Sequence, residues 1–313
     1  MQVKTLKLGN LTIKNNIFLA PIAGYSDYPF RSLALNLGYG LTFTELVSAK
    51  GIIYGSKRGT QELLCCGEQF DQTVAQIFGG DPYFMRSACE GEDLAPYNII
   101  DINMGCPVPK VYKNGEGSAL LNDIHKAETI IKECVKSGKI ITVKIRTGLK
   151  KGDDIATEFT KMAENAGASL VTIHGRVRED YYSGEPNFDA IYNAKKSVNI
   201  PVIANGGIFT KDDATNMIER TGADGIMIAR GGIANPFLCL ELLGEEPNTT
   251  LKEFMKSQLA KMFEFYGDGR TYREFRKFVP YYFKGMSHSK DLRLKLMSAQ
   301  STHELLDLID QNL

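Results

Sequence analysis

The feature that most constrains this chain is an alternation, repeated eight times, between a short β-rich apolar run and a helical stretch. The runs are NIFLAPIAG (16–24), LTFTELVSA (41–49), TVAQIFGG (73–80), NIIDINMGC (98–106), ITVKIRTG (141–148), SLVTIHGR (169–176), IPVIANGG (200–207) and GIMIARGG (225–232). Each is bounded by Gly, Pro or polar clusters, as strands are. Between most of them lie segments of helical character, such as SALLNDIHKAETIIKECVKSG and DDIATEFTKMAENAG. Strand alternating with helix predicts parallel βαβ units. Eight of them in about 240 residues suit a closed (β/α)8 TIM barrel better than an open sheet. No G-x-G-x-x-G follows the first strand, which argues against a dinucleotide-binding open sheet.

Two segments fall outside this pattern. KTLKLGNLTIKN alternates around Gly9-Asn10 and reads as a hairpin that plugs the N-terminal end of the barrel. After Asn235 the strand signal stops. Thr250-Leu-Lys-Glu253 is a capping-box sequence, opening a helix with Leu251, Phe254, Met255, Leu259, Met262 and Phe263 on one face. A second capping box, Ser301-Thr-His-Glu304, opens the last helix. The expected organisation is an α/β barrel over residues 1–243 followed by a small all-helical domain over 244–313.

Composition excludes several classes. With 43% hydrophobic and 24% charged residues the chain is an ordinary globular protein rather than a disordered one. The longest apolar stretches, such as Ile17 to Ala23, fall short of the ~18–20 residues that cross a bilayer, and MQVKTLKLGN has no signal-peptide core. A cytoplasmic protein without a membrane partner is expected. The six cysteines form no C-x-x-C pair, so free thiols and no metal site are expected. Basic and acidic side chains balance at 37 each, yet residues 270–295 hold eight basic and two acidic side chains. A neutral total therefore hides a basic segment.

In a barrel, alternate strand residues point inward and function gathers at the C-terminal strand ends. Those ends carry Glu45, Gln76, Asn103, Lys144 with Arg146, His174 with Arg176, Asn205 and Arg230. Thr142, Lys144 and Arg146 share one face of their strand, which places two cations inward. Unpaired cations there cost several kcal/mol, so an anionic or strongly accepting ligand is the economical explanation. Taken singly, Gln76 or Asn205 reads as a paired buried amide, His174 as a core histidine, and Lys144 as a partner of Glu45. Together at one barrel end they read as a ligand site. Asn205-Gly206-Gly207 and Arg230-Gly231-Gly232 end strands seven and eight, where such barrels bind phosphate with bare backbone N–H groups. Cys106, just beyond strand four, reads as nucleophile, acid or bystander.

These motifs resemble the tRNA-dihydrouridine synthases, specifically the bacterial type close to the subgroup called DusB. The resemblance runs through APIAGYSDYPFR (20–31), Thr44-Glu45, QIFGG (76–80), DINMGCPVPKV (101–111), GSALL (117–121), VKIRTG (143–148), TIHGR (172–176), YSGEPNFD (182–189), IANGGI (203–208) and MIARGG (227–232). It implies FMN, with Pro21, Ile22 and Ala23 along the flavin, Gln76 and Lys144 at its polar edge and His174 nearby. Asn205, Gly206, Gly207, Ala229 and Arg230 would surround its phosphate. It implies that NADPH reduces the flavin, that hydride passes to C6 of a uridine in tRNA, and that Cys106 protonates C5. Glu45, Asn103, Arg146 and Arg176 are expected on the substrate side. Arg276, Lys277 and Lys284 are expected to meet tRNA phosphates along with the rest of the basic segment. No obligate protein partner is implied. The chain departs from the family's usual pattern at Gly207, Ala229 and Phe278, and at Pro280, which should kink its helix. Two rival readings are an FMN barrel oxidoreductase acting on a free pyrimidine and a catalytically inactive RNA-binding relative.

Overall fold

The computed structural model describes residues 2–55 and 57–313. Strands β1 (Leu6–Leu8) and β2 (Leu11–Ile13) form the expected antiparallel hairpin, with Gly9 at φ +57° in its turn. The barrel follows as β3 (Ile17–Leu19), β4 (Leu41–Phe43), β5 (Val47–Ser48), β6 (Thr73–Phe78), β7 (Ile99–Met104), β8 (Ile140–Arg146), β9 (Leu170–His174), β10 (Val202–Asn205) and β11 (Gly225–Ile228). All pairings in this sheet are parallel, in the order β4-β3-β11-β10-β9-β8-β7-β6, and β6 pairs back to β4 to close the ring. The short β5 continues alongside the end of β6. The eight runs read from the sequence are the eight staves, each shorter than its sequence signal.

Period-two alternation decides what fills the barrel. On β7, Ile100, Ile102 and Met104 join the apolar layer under the helices, while Ile99 joins the separate cluster inside the barrel. That inner cluster holds Phe18, Leu41, Phe43, Val74, Leu170, Ile203 and Met227, closed from below by Leu6, Leu8 and Ile13 of the hairpin. The hairpin thus plugs the barrel floor, as expected. Above this layer the inward positions turn polar: Gln76 is in register with Asp101, Asn103 with Lys144, and His174 with both Arg146 and Asn205.

Beyond the barrel the chain is helical. Thr250 caps the helix Leu251–Tyr266 through a complete capping box with Glu253. Phe263, placed on its apolar face by periodicity, is 50% exposed, because the buried stripe stops at Met262. At the last helix, Thr302–Asn312, only half of the capping box forms: Ser301 accepts from Glu304 N–H, but the Glu304 carboxylate accepts from Gln300 N–H at 2.7 Å. Pro280 breaks rather than kinks its helix. Asp268–Arg276 ends ahead of it, and Pro280 sits in the first turn of the separate helix Val279–Tyr282, where its missing N–H costs nothing.

An aromatic cluster joins these helices to the barrel. Phe278, fully buried, lies 5.3 Å from both Tyr25 and Phe30 and stacks on Tyr282 at 6.0 Å, while Phe30 also meets Phe254 edge-on. A polar tie accompanies it, from Tyr266 Oη to Asp27 Oδ2 at 2.9 Å. Helical residues therefore stand directly over the first βα loop of the barrel.

Candidate active site

The C-terminal ends of the staves enclose a cavity of about 560 Å³, within the usual range for a small-molecule site. One side is apolar, formed by Pro21, Ile22, Ala23 and Met227. The polar floor is Gln76, Asn103, Lys144 and Asn205. Gly206, Gly207, Ala229 and Arg230 form the far end, and Cys106 stands on the opposite rim with Arg146, His174 and Arg176 between. The sequence-predicted cofactor residues thus share one cavity with the thiol. The helical segment contributes Tyr281 to its wall.

The cavity is strongly cationic. Among the described residues Lys144, Arg146, Arg176 and Arg230 line it, and no carboxylate does. Lys144 donates to Asn205 Oδ1 at 3.0 Å, not to Glu45. Burial, with Arg146 adding to it, pushes its ammonium down to about 8. Burial likewise lowers Arg146 to about 10. His174 is held well below its ordinary value by burial and by all four cations, so its imidazole is neutral at pH 7. Arg146 donates to the carbonyls of Gly105, Val177 and Tyr181, and Arg176 to those of Ser183 and Gly184, so both also brace loops.

Arg230 meets no hydrogen-bond acceptor among the described residues. It lies over the Tyr182 ring at 4.5 Å. Gly206 and Gly207 adopt φ +123° and +72°, and a Cβ on Gly206 would sit 2.9 Å from His174 Cδ2 and 3.1 Å from Arg176 Nη1. Only glycine leaves this end of the cavity open.

Beneath the cavity runs a hydrogen-bond chain whose direction is set by one buried carboxylate. Asp101 accepts from Thr142 Oγ1 at 2.6 Å and from Gln76 Nε2 at 2.7 Å. Gln76 Oε1 therefore faces Asn103 Nδ2 at 2.9 Å, and Asn103 Oδ1 accepts from the Cys106 N–H at 2.9 Å. An ionised carboxylate only accepts, so both amides are fixed in orientation. Each keeps one N–H uncommitted to this chain. Asp101 is fully buried, and burial raises its carboxyl from 3.8 to about 6 despite those donors. A raised acid holds its proton more tightly in the folded chain, so its penalty is absent below pH 3.8 and fully present above about 6. That penalty is about 3 kcal/mol at ~1.4 kcal/mol per unit. Asp101→Asn is expected to lose this component of the pH dependence, visible as a difference from wild type in urea titrations across that window.

The Cys106 thiol is 8% exposed, and burial raises it above its ordinary value, outweighing Arg146 and the Val108 N–H. Lys110, its near neighbour in sequence, lines a different hollow. The thiol is therefore protonated at neutral pH. Ser118 holds its loop by donating from Oγ and N–H to the Cys106 carbonyl.

Other expected residues lie outside the cavity. Glu45 accepts from the Gly24 N–H, behind the apolar wall. Lys277 pairs with Glu274 and stands 5.7 Å over the Tyr25 ring. Lys284 stands 5.1 Å over Phe209, which does line the cavity. Arg276 lies over Tyr272 at 5.1 Å with Nε and Nη2 buried and unpartnered. Sequence reasoning missed Asp101, Tyr182, Phe209 and Tyr281. Alternation along β7 places Asp101 on the face of Asn103 and was a usable signal. Tyr281 had none, because its contact is tertiary.

Among the described residues no cluster could hold a metal ion, and no helix is long and apolar enough to cross a membrane. The sequence pattern described as dihydrouridine synthase (Dus) matches residues 18–313. A tRNA-dihydrouridine synthase B of Pseudomonas putida is 35% identical over 96% of this chain and 92% of its own length. The protein of the same name from Pasteurella multocida is 36% identical over 90% and 87%. Among solved structures, 2-naphthoyl-CoA reductase matches with TM-score 0.62 at 14% identity, covering 77% of this chain and 52% of that one. A morphinone reductase mutant in complex with tetrahydroNAD matches with TM-score 0.57 at 11% identity, covering 77% and 90%. At such identities these structures show a shared barrel fold.

Proposed function

The chain belongs to the dihydrouridine synthase family, and from that premise we propose that it is a flavin-dependent tRNA-dihydrouridine synthase, holding FMN at the barrel mouth and using NADPH as reductant. The observation that carries the cofactor reading is the cavity wall: among the described residues it has four cations, no carboxylate, and an arginine without an acceptor beside two positive-φ glycines, of which Gly206 has no room for a Cβ. An anionic, flat, partly apolar ligand suits that wall, and a flavin phosphate with its ring fits the description.

The residues divide the work by position. Arg230, Arg176 and the backbone of Gly206 and Gly207 would hold the phosphate, reassigning Arg176 from the substrate side. Pro21, Ile22 and Ala23 would take the apolar edge of the ring, and Lys144 with the free Gln76 N–H its polar edge. When bound, the reduced flavin supplies the hydride for C6 of a uracil. Hydride addition leaves negative charge on the pyrimidine carbonyl. The remaining Asn103 N–H is placed to donate toward that charge. Cys106, kept as a thiol by burial, gives its proton to C5, and Arg146 steadies the thiolate that remains. The neutral His174 adds no fifth positive charge.

A uridine in folded tRNA reaches this depth only by leaving its stack. The helical segment is the proposed RNA-binding region. Within it Arg270 is committed to Glu62 by a hydrogen bond at 2.8 Å and an ion-pair contact at 2.7 Å, and Lys277 to Glu274. Arg273, Arg276, Lys284, Lys290, Arg293 and Lys295 make no ion pair among the described residues, and these are the side chains left for phosphates. The Arg273→Ala, Lys290→Ala double variant is expected to bind tRNA more weakly, with a salt dependence shallower by about 1 for each phosphate that is no longer neutralised.

The deciding experiment incubates purified protein, FMN and NADPH with unmodified tRNA transcript and maps dihydrouridine by mass spectrometry. Reduction of specific uridines supports the reading. Faster turnover of free uridine than of tRNA would move it to a free-pyrimidine reductase.

A further inference from the structure

We propose that the barrel rim beside the Cys106 loop is a second RNA-contact surface, on which a loop of the substrate tRNA stacks its bases while its phosphates meet lysines. This rests on the tRNA reading above. The surface is separate from the helical segment and from the cavity. It is built on the helix Ala49–Tyr54, which follows β5, and the helix Pro82–Glu90, which follows β6, so both stand at the same barrel end as the thiol.

Three aromatic rings gather there. Tyr54 and Tyr83 are 74% and 71% exposed, the highest values for aromatic side chains among the described residues. Both pack edge-on against Phe84, at 5.6 and 5.5 Å between ring centres, so their orientations are supported from beneath. Lys50 Nζ lies 5.2 Å over the same Phe84 ring. Beside them opens a hollow of about 660 Å³ between Lys50 and Lys110, with Ser48, Asn114 and Glu116 in its wall. Outside its wall, a Cβ built on Gly80 or Gly115 would lie 3.3 or 3.6 Å from Lys126 Nζ. Neither Lys50 nor Lys110 makes an ion pair among the described residues. Glu116 is the opposing charge, and with Lys50 and Lys110 in the wall the hollow carries a net +1.

Supported, solvent-facing rings next to unpaired lysines suit a ligand that carries π faces and a negative backbone, as single-stranded RNA does. A protein partner would be offered little apolar area here beyond two phenol faces. The choice of tRNA as occupant follows from the loop geometry. Lys110, Asn114 and Glu116 sit on the stretch that starts at Cys106 and is tied back to it by Ser118. RNA held in the hollow is therefore adjacent to the nucleotide whose base enters the cavity.

Two double variants of the full chain test this: Tyr54→Ala with Tyr83→Ala, and Lys50→Ala with Lys110→Ala. Each is compared with wild type for tRNA affinity as a function of salt, with the bound-flavin spectrum and thermal midpoint as folding controls. The tyrosine pair is expected to weaken tRNA binding at least tenfold with its salt dependence unchanged. The lysine pair is expected to flatten the salt dependence by 1 to 2. Photo-cross-linking of 4-thiouridine tRNA to wild type should label the peptide bearing Tyr54 or Tyr83. Affinities within twofold of wild type for both folded variants, or cross-links confined to the helical segment, overturn the surface while leaving the tRNA reading intact. A wild type that neither binds nor reduces tRNA overturns that reading, and the surface with it.

Discussion

Cys106→Ala is expected to retain its flavin and its NADPH oxidation while dihydrouridine formation falls by about 10²- to 10⁴-fold, the usual scale for losing one positioned acid. The thiol lies across the cavity from Gly206, Gly207 and Arg230 and makes no hydrogen bond with Lys144, Gln76 or Asn205, so its removal leaves that wall intact. What disappears is the proton for C5. Because burial holds the thiol above its ordinary value, it is fully protonated at neutral pH, and the wild-type rate should hold up to mildly alkaline pH and fall as the thiol ionises. Single-turnover reactions with pre-reduced enzyme separate this step from flavin reduction. Full single-turnover activity in the variant would show that another group supplies the proton.

Lys144→Met should have two effects of opposite sign: a more stable flavin-free protein and a much weaker hold on flavin. Pushing the ammonium from 10.5 to about 8 corresponds to about 3 kcal/mol at ~1.4 kcal/mol per unit. A lysine lowered in the fold carries this penalty in full below pH 8 and sheds it as pH rises toward 10.5, where the unfolded chain also deprotonates. Methionine removes the buried charge and costs only the bond to Asn205, about 1 kcal/mol. A net gain of about 2 kcal/mol at pH 7 is expected, together with a stability that no longer rises between pH 8 and 10.5. Flavin affinity should drop at least tenfold. Denaturant titrations of stripped protein and fluorescence titrations with FMN read the two effects. A variant less stable than wild type without flavin would show that Lys144 is held by protein contacts rather than kept for a ligand.

Legibility differed from residue to residue. Gln76, Asn103, Lys144, His174 and Asn205 were readable because they occupy alternate positions near strand ends, where a closed parallel barrel leaves one destination for an inward side chain. Gly206 and Gly207 were readable as a glycine pair at the end of the seventh strand, where such barrels present bare backbone N–H groups. Arg176 lines the expected cavity, but its position beside Gly206 and Gly207 depends on the loop carbonyls of Ser183 and Gly184, which a strand pattern does not contain. Arg270 and Lys277 looked like free charges in a basic segment. The acids that engage them include Glu62, far away in sequence.

The sequence by itself determined the barrel, the hairpin plug and the set of polar side chains gathered at one end. Each of these follows from short-range periodicity, and a ring of parallel strands has few ways to satisfy it. Tertiary structure alone decided which cations remain unpaired, how Asp101 orients Gln76 and Asn103, and that the Cys106 thiol keeps its proton. Pairing and desolvation are set by distances between residues tens to hundreds of positions apart, and local pattern carries no record of those distances.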